Sequence, residues 1–169
     1  YALARSVLKM PGTLLAKSFG DVLYPKYARN SHNKNKLIEI LWKSTGVLAI
    51  LCLFPFGTII LFGPLLFGLA FGEEWLPSGQ YGQLIAVLLY ANFVFSPSNH
   101  IFAVINRQKI FLLYRMLNIV VTSTALFIGL FIYSSDSYAI ALYSCSGAFM
   151  SIVMFFVCIR VCMGVSNEK

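Results

Sequence analysis

Long apolar runs separated by short polar segments set the pattern of this chain. Gly46 to Phe71 holds no charged residue. At about 1.5 Å per helical residue it would reach about 39 Å, more than the roughly 30 Å of a bilayer core. Gly63 and Pro64 are expected to end that membrane helix, leaving Leu65 to Phe71 as an interfacial turn. Gly79 to Ile105 is uncharged apart from His100 and is interrupted at Ser96 and Pro97. Ile110 to Tyr133 carries one charge, Arg115, close enough to the end of the run for its guanidinium to reach the interface along its aliphatic stem. Ser137 to Ile159 carries none, and the first segment, Ala2 to Tyr24, is less apolar, with Arg5, Lys9, Lys17 and Asp21. The pattern predicts an all-α, polytopic transmembrane helix bundle with helices at about 2–25, 37–62, 79–105, 110–133 and 137–160, and no soluble domain.

The polar segments between these runs alternate in sign. Lys26, Arg29, Lys34, Lys36 and Lys43 fill the first, Glu73 and Glu74 the second, Arg107, Lys109 and Arg115 the third, Asp136 the fourth, and Arg160 and Lys169 the last. Basic loops stay on the cytoplasmic side during insertion. Loops 26–36 and 106–109 and the C-terminus are therefore expected inside, and loops 72–78 and 134–136 outside, in a multi-pass protein of a bacterial inner membrane.

Composition agrees with a membrane protein: 59% of residues are hydrophobic, 11% are charged, and the mean hydropathy is +0.78. The net charge of +7 does not point to nucleic acid, because the cations flank or interrupt apolar runs and form no single exposed patch. Membrane lipids are the expected partners of the loop cations. The chain opens on Tyr1 without a basic n-region or a cleavage-site pattern, and is read as a fragment of a longer protein.

No enzyme is expected, and neither a catalytic residue nor a cofactor is assigned. The chain has no Gly-rich phosphate loop, no histidine pair at metal spacing and no GxSxG elbow, and Glu73 with Glu74 reads as a charged loop. Cys52, Cys145, Cys158 and Cys162 lie in apolar segments or near the inner end, where they read as small buried hydrophobes; neither a disulfide framework nor a metal site is expected.

Two groups of polar residues within the runs are candidates for binding. Arg5 and Lys9 are four apart on one helix face, and Lys17 can pair with Asp21 across the same interval, with Pro11 and Gly12 between the groups. Either these cations line a water-filled cavity that receives an anionic headgroup, or Arg5 and Lys9 sit at the outer interface and Lys17 with Asp21 is a structural ion pair. Asn92, Ser96 and Asn99 form one polar stripe, with His100 beside it and Asn118 on the next helix. Such a stripe either lines a cavity and hydrogen-bonds a sugar or bridges one helix to another. His100 alone reads as a packing residue.

The opening Y-A-L-A-R-S-V-L-K-M-P (Tyr1 to Pro11) and V-L-Y-P-K-Y-A (Val22 to Ala28), with F-G-E-E-W (Phe71 to Trp75) followed by Gly79 and Tyr81, and with Gln108 after the next helix, resemble the polysaccharide and O-antigen flippases. These belong to the multidrug, oligosaccharidyl-lipid and polysaccharide exporter superfamily. Pro77 and Ser78 depart from the family pattern, which often has an alanine before the glycine. The resemblance implies a twelve-helix, two-lobe transporter of which this chain supplies about the last five helices.

It further implies that an undecaprenyl-pyrophosphate-linked oligosaccharide, an O-antigen or capsule repeat unit, is moved between leaflets by alternating access. Arg5, Lys9 and Lys17 would then contact the headgroup, and polysaccharide polymerase or assembly proteins would be possible partners. Two alternatives stay open. One is a cation-coupled drug or metabolite exporter of the same superfamily, which would want cavity acids where only Asp21 stands. The other is a membrane scaffold that transports nothing and has no use for the three cations together.

Overall fold

A computed structural model describes residues 19–31, 33–133 and 136–164. Among them every regular element is helical. Residues 19–29 form the described part of α1. Next comes α2, Lys34–Phe71, then a short 3-10 turn at Glu73–Trp75, α3 (Leu76–Val94), α4 (Pro97–Val104), α5 (Gln108–Tyr133) and α6 (Asp136–Gly164). Among the described residues four stretches are long and apolar enough to cross a bilayer: Lys34–Phe71, Glu73–Val104, Gln108–Phe131 and Asp136–Gly164. The chain is an all-α, multi-pass membrane protein.

The elements depart from the sequence expectations where tertiary burial overrides local signals. Residue 25 was expected to close the first helix, yet the helix continues through Pro25 to residue 29. Leu23 and Tyr27, one turn apart on either side of the proline, are both buried against α2, α4 and α6. The loop expected over 26–36 therefore shrinks to a few residues, and α2 starts where the Asn33 side chain accepts a bond from the Lys36 N–H at 3.2 Å.

Gly63 and Pro64 do not end α2. The backbone leaves helical geometry at Phe62 (φ −122°, ψ 19°), and a second helical stretch then runs on to Phe71, so the expected end is a kink. A proline lacks an N–H and orphans the carbonyl four residues earlier, here Ile60. Gln83 of α3 supplies the missing donor, its Nε2 bonding to Ile60 O at 2.9 Å. The helix ends at Gly72, whose φ of 100° suits a residue without a side chain and whose N–H caps Gly68 O at 2.9 Å. Leu76 already opens α3, so most of the expected outer loop 72–78 is helical.

The main contacts are α2 with α3, α5 with α6, and α3 with α6. The α2–α3 crossing is very close: a Cβ on Gly79 would lie 2.5 Å from Pro64 Cα and 2.7 Å from Gly63 O. Small residues permit such approach in membrane helices, where packing and not water exclusion drives association. One buried cluster joins Leu23 and Tyr27 to Leu41, Phe102, Phe155 and Cys158, and a second joins Leu48, Cys52 and Phe56 to Ala86 and Phe93. The outward faces are apolar, with Phe54 82% and Phe131 77% exposed, as a lipid-facing surface requires. Cys52, Cys158 and Cys162 are buried, whereas Cys145 is exposed, unlike the expectation that all four pack inside.

Candidate functional site

The span that begins at α3 is broken at Phe95 and Ser96. Pro97 cannot donate backward, so the chain tightens: the Ser96 N–H bonds to Phe93 O at 3.1 Å, and helical geometry restarts at Pro97 with Ser98 N–H on Phe95 O at 3.2 Å. Ser96 makes no side-chain capping bond. Irregular backbone at membrane depth survives only where protein covers it or a polar cavity borders it. Here both hold, because the Phe95 ring packs on Phe155 of α6 at 5.3 Å and a polar cleft opens beside the break.

The cleft is open on one side and offers about 30 Å³, room for about one water molecule. Asn92, Phe95 and Asn99 line it from the broken span, Tyr114, Arg115 and Asn118 from α5, and Ser151 and Met154 from α6. On α5, Asn118 lies four residues from Tyr114 and three from Arg115, so it neighbours both on the helix surface. The Tyr114 hydroxyl donates to Met150 O, tying α5 to α6. Ser151 is buried, and its hydroxyl lies 2.9 Å from Asn92 Oδ1 and 3.0 Å from Gly147 O. The guanidinium of Arg115 stands 5.4 Å from the centroid of the Phe111 ring.

Asn92 and Asn99 of the polar stripe meet Asn118 in this one cleft, although they come from two different spans. The residues divide by role: Asn92 bridges α3 to α6 through Ser151, whereas the Asn99 side chain has no hydrogen bond among the described residues. Ser96 sits in the break itself and does not line the cleft. His100 turns the other way and packs against α1, where a Cβ on Gly20 would fall 2.7 Å from its Cε1, and the Asp21 carboxylate is near enough to interact with it electrostatically. Arg5, Lys9 and Lys17 lie outside the described residues, and with them the pairing of Lys17 with Asp21.

Arg115 is exposed and lines the cleft with its guanidinium over the Phe111 ring. Seven residues past the start of α5, it stands about 10 Å into the helix. Tyr114 and Ser151 also belong to the cleft and were not singled out. The i,i+4 spacing of Tyr114 and Asn118 was a usable signal for the first, but nothing in the α6 sequence marks Ser151.

Among the described residues no cluster of three or more His, Cys, Asp and Glu could hold a metal ion. The cleft presents amide and hydroxyl groups that both donate and accept, with one cation at its edge, so it is suited to polar groups. Comparison with known proteins returned no matching curated protein and no matching solved structure. A family model described as polysaccharide biosynthesis protein matches residues 1–80, nearly half of the chain. That match, on a chain of several membrane-spanning helices, supports a membrane protein of a polysaccharide biosynthesis family.

Proposed function

We propose that this chain is part of a transporter that carries a lipid-linked oligosaccharide from the inner to the outer leaflet, with the lipid tail remaining in the bilayer and no covalent bond changed. The observation that carries this reading is the polysaccharide biosynthesis match falling on a multi-pass helix bundle, a chain with membrane spans to move a molecule along. The flippase resemblance of the opening segment supports it further, as does a polar cleft beside a broken span, the kind of place where transporters build their sites. Loops with Lys26 to Lys36 and Arg107 to Lys109 face the cytoplasm, and Glu73, Glu74 and Asp136 face outward.

Arg5, Lys9 and Lys17 serve as the headgroup contacts in this reading, and the carried molecule is an undecaprenyl-pyrophosphate-linked repeat unit. The test is the Arg5→Ala, Lys9→Ala double variant of the full-length protein, expressed at wild-type level in cells that make a surface polysaccharide. Loss of surface polysaccharide is expected. Normal export by that variant would remove these cations from the mechanism, and failure of the wild-type protein in liposomes to move a lipid-linked sugar would overturn the transport reading.

A further inference from the structure

We infer that Cys158 and Cys162 form a buried site for a soft, two-coordinate metal ion of the Cu(I) class, with the Tyr27 and Ser98 hydroxyls as hydrogen-bond donors to its thiolates. Neither cysteine lines the polar cleft, and the inference does not depend on the transport reading.

The ligands come from one face of α6. Met154, Cys158 and Cys162 stand four apart, so successive turns carry a thioether and two thiols along one line. All three are buried in the cluster that α6 shares with α1, α2 and α4. The two thiols interact directly, and the Cys158 thiol also donates to Ser98 O at 3.8 Å. Soft sulfur ligands favour Cu(I). A structural zinc site needs four ligands, and among the described residues no group of three or more His, Cys, Asp and Glu exists to supply them. Two thiols are enough for the linear coordination of a monovalent soft ion.

The independent observation is the pair of donors beside them. The hydroxyls of Tyr27 and Ser98 are fully buried. Neither has a hydrogen-bond partner of normal geometry among the described residues, although Ser44 of α2 lies near Tyr27. The Tyr27 hydroxyl is close enough to both thiols to interact with them electrostatically, and the Ser98 side chain stands beside Cys158. A buried donor without an acceptor is costly and calls for a physical cause. A thiol is a weak acceptor, whereas the thiolate that holds a metal is a strong one, so both donors fit the metal-bound pair.

Binding forms two Cu–S bonds and releases both thiol protons to water, which leaves the unit with one net negative charge. The two O–H groups offset that charge, and because they belong to α1 and α4 the ion ties both helices to α6. Leu41, Phe102 and Phe155 close the surroundings with apolar surface. Cys162 is two residues from the end of α6 at Gly164, so the ion has a short path from the end of the bundle.

The test uses the full-length protein with every cysteine except Cys158 and Cys162 replaced by serine, titrated anaerobically with Cu(I) against a chromogenic Cu(I) chelator. One ion per chain is expected, with thiolate-to-copper charge-transfer absorption. Cys158→Ser and Cys162→Ser are each expected to weaken binding at least hundredfold, and Cys158→Ala stands in for a serine variant that does not melt cooperatively. Tyr27→Phe is expected to weaken it at least threefold with the stoichiometry unchanged. Zn(II) is expected not to compete. Failure of the two-cysteine protein to take copper from the chelator overturns the site, as does undiminished affinity in Cys158→Ala. Displacement of Cu(I) by equimolar Zn(II) overturns the two-coordinate class, and wild-type affinity in Tyr27→Phe overturns the donor role.

Discussion

Replacing Gln83 by leucine, which keeps the side-chain bulk but removes the donor, leaves Ile60 O without its partner inside the α2–α3 contact. A carbonyl stranded in this way costs about 1–3 kcal/mol in proteins generally, while side-chain bonds between membrane helices average about 0.6 kcal/mol and reach about 1.7. Both ranges include about 1 kcal/mol, and that is the loss expected here. For a chain of this size it lowers a reversible melting midpoint by about 2–4 °C.

The cause of the loss is specific: Pro64 has no N–H, so Gln83 stands in for it. Restoring the backbone donor with Pro64→Ala should therefore make Gln83 dispensable. In that background Gln83→Leu is expected to shift the midpoint by less than half of its effect in the wild type. The assay is a double-mutant cycle on the full-length protein in detergent or nanodiscs, followed by circular dichroism. An equal penalty for Gln83→Leu in both backgrounds would refute the reasoning, since it would mean that Gln83 acts by packing alone. Gly63→Ala adds an independent check, because its Cβ would fall 2.5 Å from Gln83 Cγ and push the amide away from Ile60.

Gly79→Ala is expected to cost about 1–3 kcal/mol, because the new methyl meets the backbone of Gly63 and Pro64 and not a side chain that can rotate aside; the melting midpoint reads it. Asn92→Leu should lose about 0.6–1.7 kcal/mol through the broken bridge to Ser151, and the Asn92→Leu, Ser151→Ala pair should cost little more than the single change, again by thermal melting. Single cysteines placed at Ser31 and at Glu74 in a cysteine-free protein are expected to react with a membrane-impermeant maleimide from opposite faces of sealed vesicles; labelling of both from one face would reject the proposed orientation.

Glycine and proline show where local reading was sufficient and where it was not. Gly72 ends α2 through its own backbone freedom, a property of one residue. Gly63 and Pro64 carried an equally strong stop signal, yet the helix resumes, because Gln83 lies nineteen residues beyond Pro64 and satisfies Ile60 O from another helix. Pro25 likewise leaves α1 unbroken, since Leu23 and Tyr27 are held in a core that includes Leu41 and Phe102. In each case a neighbour distant in sequence supplied the bond or the burial that the local residues lacked.

The amino-acid sequence alone determined the membrane character, the four long apolar spans and the break at Ser96, because each follows from apolar run length or from the chemistry of a single proline. It also marked Asn92, Asn99 and Asn118 as polar residues in apolar runs. Their meeting in one cleft, the pairing of Asn92 with Ser151, and the placement of Arg115 over Phe111 followed from how α3, α5 and α6 pack. The reason is physical: helical periodicity ranks the residues of one helix by face, but which faces meet depends on close contacts between several helices at once, and those contacts exist only in the assembled bundle.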